Sequence, residues 1–156
     1  MKMVARALCG LALAATATAT AGPTRADPPR FALPGIRYQV MASGPATGEP
    51  PTRSDQVTMR YLGRLSDATV FSTSPSNGAE PSVFKVKELI PGISAALQLM
   101  RPGDRWRITV PAYLGYGRLG RPLTVTAGAA AQQQHAIPPN AVLVFDIDLV
   151  KVSPSP

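Results

Sequence analysis

The chain has 156 residues, of which 45% are hydrophobic and 16% are charged, with 17 prolines, 13 glycines, one cysteine and one histidine. This composition predicts one compact domain, because the apolar fraction is too high and the charged fraction too low for a disordered chain. One cysteine and one histidine are too few for a disulfide framework or a Cys/His zinc site, and the scattered charges behind the net +7 lack the interleaved aromatic residues of a nucleic-acid-binding stripe.

Residues 1–26 have the three-part pattern of a secretory signal peptide. A short basic start precedes an uncharged run rich in Ala, Leu and Thr over residues 7–21, and small residues precede two candidate cleavage positions, after Ala21 and after Ala26. The run is shorter than the roughly 20 residues that a membrane-spanning helix needs. We therefore expect an exported protein, periplasmic or extracellular after cleavage, without stable membrane insertion.

The next residues predict a proline-rich lead-in followed by short strands. Residues 27–35 are rich in proline, which favours an extended segment, and we place the domain at residues 36–152. Short apolar or alternating runs predict β-strands in the first half of the domain: residues 36–41, 57–62, 70–71 and 83–86. The serines, prolines and Asn-Gly pair of residues 72–81 predict a turn-rich excursion between the last two.

One helix and two further strands are predicted in the second half. The helix starts at Pro91, a residue suited to the first helical position, and runs to about residue 100, because Ile93, Leu97 and Met100 are spaced to cover one face. Apolar and polar residues alternate over residues 104–110 and 143–150, which predicts two half-buried strands. Several short strands and one helix indicate an α+β domain, an antiparallel sheet wrapped on a single helix.

A long segment without helix or strand pattern, residues 118–136, separates the last two predicted strands. Long loops in compact domains are either functional or disordered, and the Ala and Gln tracts favour disorder at the centre of this one. His135, near its end, is expected to be a solvent-exposed side chain, with substrate contact as the alternative. Trp106, the only tryptophan, is expected in the core.

Three stretches carry a specific pattern: VTMRYLGRL at 57–65 with TVFSTS at 69–74, ELIPG at 88–92, and VPAYLGYG at 110–117 with IPPNAVLVFDIDL at 137–149. In order and spacing they resemble the FKBP-type peptidyl-prolyl cis/trans isomerases, over about residues 33–152. LPGIRY at 33–38 is further similar to the start of the catalytic domain in the secreted bacterial, macrophage-infectivity-potentiator-like branch. That branch often adds an N-terminal helical dimerisation domain, for which this chain has no room, so we expect a monomer.

The resemblance implies a five- or six-stranded antiparallel half-barrel around one short helix, with an apolar pocket that holds a proline ring. Carried over by position, the catalytic residues would be Tyr61, Phe71, Tyr116 and Phe145, and the substrate-binding residues Leu89, Ile90, Ile93, Ile137 and Ser72. In the family, the groups that match the Ile90 amide and the Tyr116 hydroxyl donate hydrogen bonds to ligand carbonyls. The pocket needs no nucleophile, metal or cofactor, because a dry cavity that binds the twisted amide lowers a rotation barrier of about 18–20 kcal/mol.

Two positions depart from the family pattern. Ser72 stands where an Asp usually follows the wall phenylalanine, and a hydroxyl there should weaken ligand hydrogen bonding and lower turnover, unless it is a tolerated replacement. Ile93 stands in place of the tryptophan at the pocket floor, which should leave a deeper or looser cavity. These departures support an alternative hypothesis, a proline-binding or chaperone module without useful turnover.

The leading hypothesis is an exported isomerase that assists protein folding. Its partners would be proline-containing unfolded or partly folded polypeptides, and the family's macrolide inhibitors are candidate ligands. A Ser/His hydrolase is not expected, because no serine lies in a Gly-x-Ser-x-Gly turn.

Overall fold

The computed structural model describes residues 35–123 and 135–154. The predicted signal peptide, almost all of the proline-rich lead-in and the centre of the long loop lie outside these residues. The described part contains six strands and one α-helix: β1 (Arg37–Ala42), β2 (Gln56–Leu65), β3 (Val70–Thr73), β4 (Ser82–Lys85), α1 (Pro91–Leu97), β5 (Arg105–Val110) and β6 (Leu143–Ser153). The strands form one antiparallel sheet, which confirms the predicted α+β fold.

β6 lies in the middle of this sheet, whose order is β1-β5-β6-β2-β3. It pairs with β2 on one side, from Leu65 opposite Leu143 onwards, and with β5 on the other, from Val110 opposite the same Leu143. The second edge of β2 is shared, because residues 62–64 pair with β3 and residues 56–59 pair with β4. The turn-rich segment between β3 and β4 therefore leaves one edge of the sheet and returns to it.

The core forms where the alternating apolar residues of the sheet meet α1. Its buried side chains come from β2, β3, β5, β6, the helix and the turn that follows the helix: Val57, Met59, Phe71, Ile93, Ala96, Leu97, Met100, Trp106, Ile108, Val110, Leu143, Phe145, Ile147 and Leu149. Trp106 stacks on Tyr38 of β1 with ring centroids 4.6 Å apart, so its predicted place in the core is confirmed.

The helix is shorter than predicted. α1 ends at Leu97, although Met100 is fully buried as the spacing indicated. The amides of Leu99 and Met100 bond to carbonyls three residues earlier, Ala96 and Leu97, at 3.0 Å each. The chain thus tightens into a 3₁₀-type turn before Pro102, which lacks an amide proton and cannot continue a helix.

Asp104 joins three parts of the fold, two of which lie far from it in the sequence. Its carboxylate accepts hydrogen bonds from the amides of Gly44 at 2.6 Å and Arg101 at 2.8 Å, and its carbonyl accepts the Leu149 amide at 2.9 Å. The side chain is buried. One carboxylate therefore fixes the β1–β2 loop and the turn before β5, while its backbone holds that turn against β6.

The outer face of the sheet is held by ion pairs. Asp146 of β6 accepts two hydrogen bonds from Arg107 of β5, at 2.6 and 3.2 Å, and lies 3.2 Å from Arg64 of β2. The bonds to this carboxylate raise the pKa of Arg107 above its usual value. A second pair joins Arg60 to Asp148 at 3.3 Å. The alternation that buries the apolar residues of these strands therefore places matched charges on the opposite side. In the described residues, no helix has the length and apolar character needed to cross a membrane.

Candidate functional site

Two phenylalanines from different strands form an aromatic corner beside β2. Phe71 of β3 and Phe145 of β6 meet edge to face, with ring centroids 5.5 Å apart and ring planes at 89°. Both are buried, and Gly63 of β2 lies under them. A Cβ at Gly63 would stand 2.8 Å from Phe71 Cζ and 3.0 Å from Phe145 Cε1. The absence of a side chain at Gly63 therefore allows the two rings to occupy this corner.

Tyr61 brings a polar group to the same strand face, two residues before Gly63. Its hydroxyl lies 3.0 Å from the Ser72 hydroxyl, and its ring meets the edge of Phe84 at a centroid distance of 5.7 Å. Burial raises the pKa of Tyr61, the hydrogen bond with Ser72 opposes that rise, and the nearby Tyr116 and Arg121 act in opposite directions. Ser72 therefore pairs directly with the phenol, at the position where the sequence pattern described above usually has an Asp.

Short backbone hydrogen bonds hold Gly117, the residue that follows Tyr116. The Gly117 amide bonds to the Ala112 carbonyl, and the Asn140 amide bonds to the Gly117 carbonyl, both at 2.8 Å. The Tyr116 hydroxyl accepts a hydrogen bond from Arg121 Nη1 at 3.0 Å, and the Arg121 guanidinium carbon lies 5.5 Å from the Tyr116 ring centroid. The hydroxyl therefore has a defined position and a cationic donor beside it.

The start of α1 brings the remaining apolar positions next to these groups. A Cβ at Gly92 would clash with Val110 of β5 and stand 3.2 Å from the Leu114 carbonyl, so the glycine lets the helix lie close to the turn before Tyr116. The Ile90 carbonyl accepts the amides of Ile93 and Ser94, both at 3.0 Å. Within the described residues, no backbone carbonyl accepts a hydrogen bond from the Ile90 amide. This amide is therefore a donor that a ligand carbonyl can use.

Both described ends of the long loop are bonded near the aromatic corner. Ile137 exchanges two backbone hydrogen bonds with Arg121, at 2.8 and 2.9 Å. The His135 amide bonds to the Phe71 carbonyl at 3.3 Å, and its Nδ1 lies 2.7 Å from the Val70 carbonyl. The histidine is exposed, as the sequence suggested, but it also attaches the loop to β3.

The structure thus places all nine sequence-predicted site residues in or against one apolar cluster. Phe71, Ile93, Ile137 and Phe145 are buried in it, and Tyr61, Leu89, Ile90 and Tyr116 are partly buried against it, with Ser72 bonded to Tyr61. Sequence reasoning missed Gly63, Phe84 and Arg121. Of these, Phe84 had a usable signal, an aromatic residue within a predicted strand, whereas the other two depend on contacts across the fold.

Comparison of the sequence with known proteins identifies one family. Residues 47–150 match the profile of the FKBP-type peptidyl-prolyl cis-trans isomerases. The chain is 39% identical over 118 residues to the FKBP-type 22 kDa peptidyl-prolyl cis-trans isomerase of Escherichia coli, covering 76% of this chain and 50% of that one. It is also 39% identical over 120 residues to the outer membrane protein MIP of Legionella longbeachae, covering 76% and 44%. The chain therefore spans about half the length of these curated relatives.

The fold of this chain superposes on a solved structure over most of that structure's length. The peptidyl-prolyl cis-trans isomerase of Pseudomonas syringae superposes with a TM-score of 0.59 at 32% identity, over 78% of this chain and 84% of that one. The fold and the sequence patterns thus indicate the same family. This chain belongs to the FKBP-type peptidyl-prolyl cis-trans isomerase family.

Proposed function

We propose that this protein catalyses the cis/trans isomerisation of prolyl peptide bonds in unfolded or partly folded polypeptides. The observation that carries the proposal is the aromatic corner of Phe71 and Phe145 beside two hydroxyls, those of Tyr61 and Tyr116. An apolar surface with a few fixed donors suits a proline ring flanked by peptide carbonyls.

The reaction requires of the protein only that it bind the twisted amide selectively. Rotation about the prolyl bond breaks amide resonance, and without a catalyst it takes tens to hundreds of seconds. A site that binds the twisted amide more tightly than either planar form accelerates the rotation by the difference in binding energy. In our proposal Phe71 and Phe145 keep water from the twisted bond, while the Ile90 amide and the Tyr116 hydroxyl hold the flanking carbonyls.

The two departures from the family pattern are compatible with this mechanism, since no proton is transferred. Ser72 still supplies a hydrogen-bonding partner to the Tyr61 hydroxyl. Ile93 is buried at the first turn of α1 and keeps the floor apolar, although it is smaller than a tryptophan. We therefore propose that turnover is retained, at a lower level than a carboxylate at position 72 would allow.

A protease-free isomerisation assay on the purified protein tests the proposal. The protein should accelerate isomerisation of a Pro-containing peptide, and Tyr116→Phe, which removes only the hydroxyl, should lower kcat/KM about threefold to tenfold, the worth of one hydrogen bond. Ser72→Asp should raise kcat/KM. A folded protein that binds the peptide without accelerating isomerisation would instead identify a proline-binding module.

We also propose that the protein is exported. The signal-peptide pattern of residues 1–26 supports this, as does a relative that is itself named an outer membrane protein. Mass spectrometry of the mature protein, recovered from the periplasm or the medium, should find an N-terminus after Ala21 or Ala26. Recovery of the intact N-terminus from the cytoplasm would contradict export.

The expected monomeric state and macrolide binding are two further proposals, and the family resemblance of the pocket residues supports the second. Sedimentation velocity tests the first. Competition between a macrolide inhibitor and the peptide in the isomerisation assay tests the second.

A further inference from the structure

We infer that Arg121 determines substrate specificity by favouring peptides with an acidic side chain next to the proline. The inference rests on the proposed function, because it assigns a substrate class to the same site. It is carried by the position of Arg121, by the polar group it contacts and by the lack of carboxylates around it.

The backbone fixes where Arg121 stands. Its amide and carbonyl both bond to Ile137, at 2.9 and 2.8 Å, so the residue is tied to a buried position of the apolar cluster. The preceding Gly120 has a φ of +65° and lies so close to Pro138 that a Cβ there would be 2.7 Å from its carbonyl carbon. The segment can therefore shift little without breaking these contacts, so the backbone that carries the Arg121 side chain has a fixed position.

The side chain joins the fixed backbone to a group that the proposed mechanism uses. One guanidinium nitrogen, Nη1, donates to the Tyr116 hydroxyl at 3.0 Å. A guanidinium has five N–H donors, so others remain for a ligand. The side chain is exposed, and its charge also lowers the pKa of the Tyr61 phenol slightly. A peptide whose carbonyl reaches Tyr116 therefore has its neighbouring side chain within range of Arg121.

The positive charge at this rim has no acidic counterpart nearby. The sequence contains no Asp or Glu between Asp104 and Asp146, a stretch that includes the whole loop. Among the described residues, no carboxylate oxygen lies within 4.0 Å of an Arg121 nitrogen. Glu88, beside Leu89, is paired with Lys85 at 3.4 Å, and Ser72 adds no charge where the family usually has an aspartate. An acidic substrate side chain would supply the missing partner.

The test compares peptides that differ only in charge. Two series carry Glu or Gln, one directly before the proline and one directly after it, and kcat/KM is measured for each. In at least one series the Glu peptide should be favoured about threefold to fivefold, as expected for an ion pair open to solvent. The preference should disappear in about 1 M NaCl, where charges are screened within roughly 3 Å.

Variants separate the charge from the hydrogen bond to Tyr116. In Arg121→Gln the ratio of Glu to Gln rates should fall to about one, even if both rates drop because Tyr116 has lost its donor. Arg121→Lys should keep most of the ratio. Arg118→Gln, which removes an exposed cation three residues earlier, should leave the ratio unchanged.

Equal rates for Glu and Gln peptides in both series, or a preference that survives in Arg121→Gln, would overturn the inference and leave the isomerase function intact. No acceleration of any peptide would be a different result, because it would overturn the proposed function and the inference together.

Discussion

At the scale of single residues, the hydrogen bond between Ser72 and Tyr61 acts on the pKa of the phenol. Burial raises the pKa of Tyr61, and the hydrogen bond from Ser72 partly offsets this by stabilising the phenolate. Ser72→Ala should therefore raise the pKa of Tyr61 further. Titration by NMR of ¹³C-labelled tyrosine, with the signal assigned through Tyr61→Phe, measures the change. Ser66→Ala, at an exposed serine in the β2–β3 turn, is the control, and a lower pKa in Ser72→Ala would contradict this role.

Gly63 offers a second prediction at this scale, because it has no room for a side chain. In Gly63→Ala the new methyl group would press on Phe71 and Phe145, which are both buried. We expect a loss of about 1–3 kcal/mol in the free energy of unfolding, the usual cost of overpacking, together with slower isomerisation. Urea denaturation measures the first effect and the isomerisation assay the second.

Gly117→Ala provides a contrast, because nothing lies within 4 Å of its Cβ position and only its φ of +60° is unfavourable. It should cost about 1–2 kcal/mol through the backbone conformation alone. The Phe71 and Phe145 ring resonances should shift in Gly63→Ala and not in Gly117→Ala. Unshifted rings in Gly63→Ala would show that the corner tolerates a methyl group.

These residues also show what sequence alone can identify in a site. Tyr61 and Phe145 were predicted as site residues because they belong to dense sequence patterns that resemble a family. Gly63 lies in the same pattern, but the need for a glycine there becomes clear only in the folded structure, where Phe71 of β3 and Phe145 of β6 lie against it. Arg121 lies in a loop with no periodicity, so its contact with Tyr116 depends on folding that no local pattern encodes.

At the scale of elements, Asp104 holds the β1–β2 loop and the turn before β5 with one buried carboxylate. Asp104→Ala would leave the amides of Gly44 and Arg101 without their acceptor, so we expect the free energy of unfolding to fall by about 2–4 kcal/mol. Asp104→Asn keeps one acceptor oxygen and should lose roughly half as much. Urea denaturation followed by Trp106 fluorescence measures both variants, and equal stability of Asp104→Ala and the wild type would refute the connection.

The elements differ in how far the sequence predicts them. β5 and β6 follow from strict alternation, because one face packs on α1 and the other carries the ion pairs of Asp146 and Asp148. The end of α1 was predicted three residues too late, since burial of Met100 continues the apolar spacing after the helical bonding has stopped. The pairing of β3 and β4 with one edge of β2 follows from chain connectivity, which periodicity does not reveal.

At the scale of the whole molecule, the partly buried phenol of Tyr61 links stability to alkaline pH. The pKa of Tyr61 is raised in the folded protein, whereas in the unfolded chain it should stand near its ordinary value of about 10. The folded state therefore holds this proton to higher pH than the unfolded state, and stability must fall as pH rises above about 10.

Tyr61→Phe lacks this proton and isolates its contribution. The difference in unfolding free energy between the wild type and Tyr61→Phe should be constant at neutral pH. Above about pH 10 the unfolding free energy of the wild type should fall relative to that of Tyr61→Phe. Urea denaturation at a series of pH values measures it. Other titrating groups are shared by the two proteins and largely cancel. A difference that stays constant up to about pH 11 would contradict the raised pKa.

The central position of β6 also determines when the sheet can be completed. Without β6, β1 pairs only with β5, and β2 pairs only with β3 and β4, so the sheet would consist of two unconnected pieces. During synthesis these pieces cannot be joined until residues 143–153 have left the ribosome. The core therefore stays open until β6 has been made, and for the export proposed above this means that the chain would meet a secretion channel in the unfolded form that threading requires.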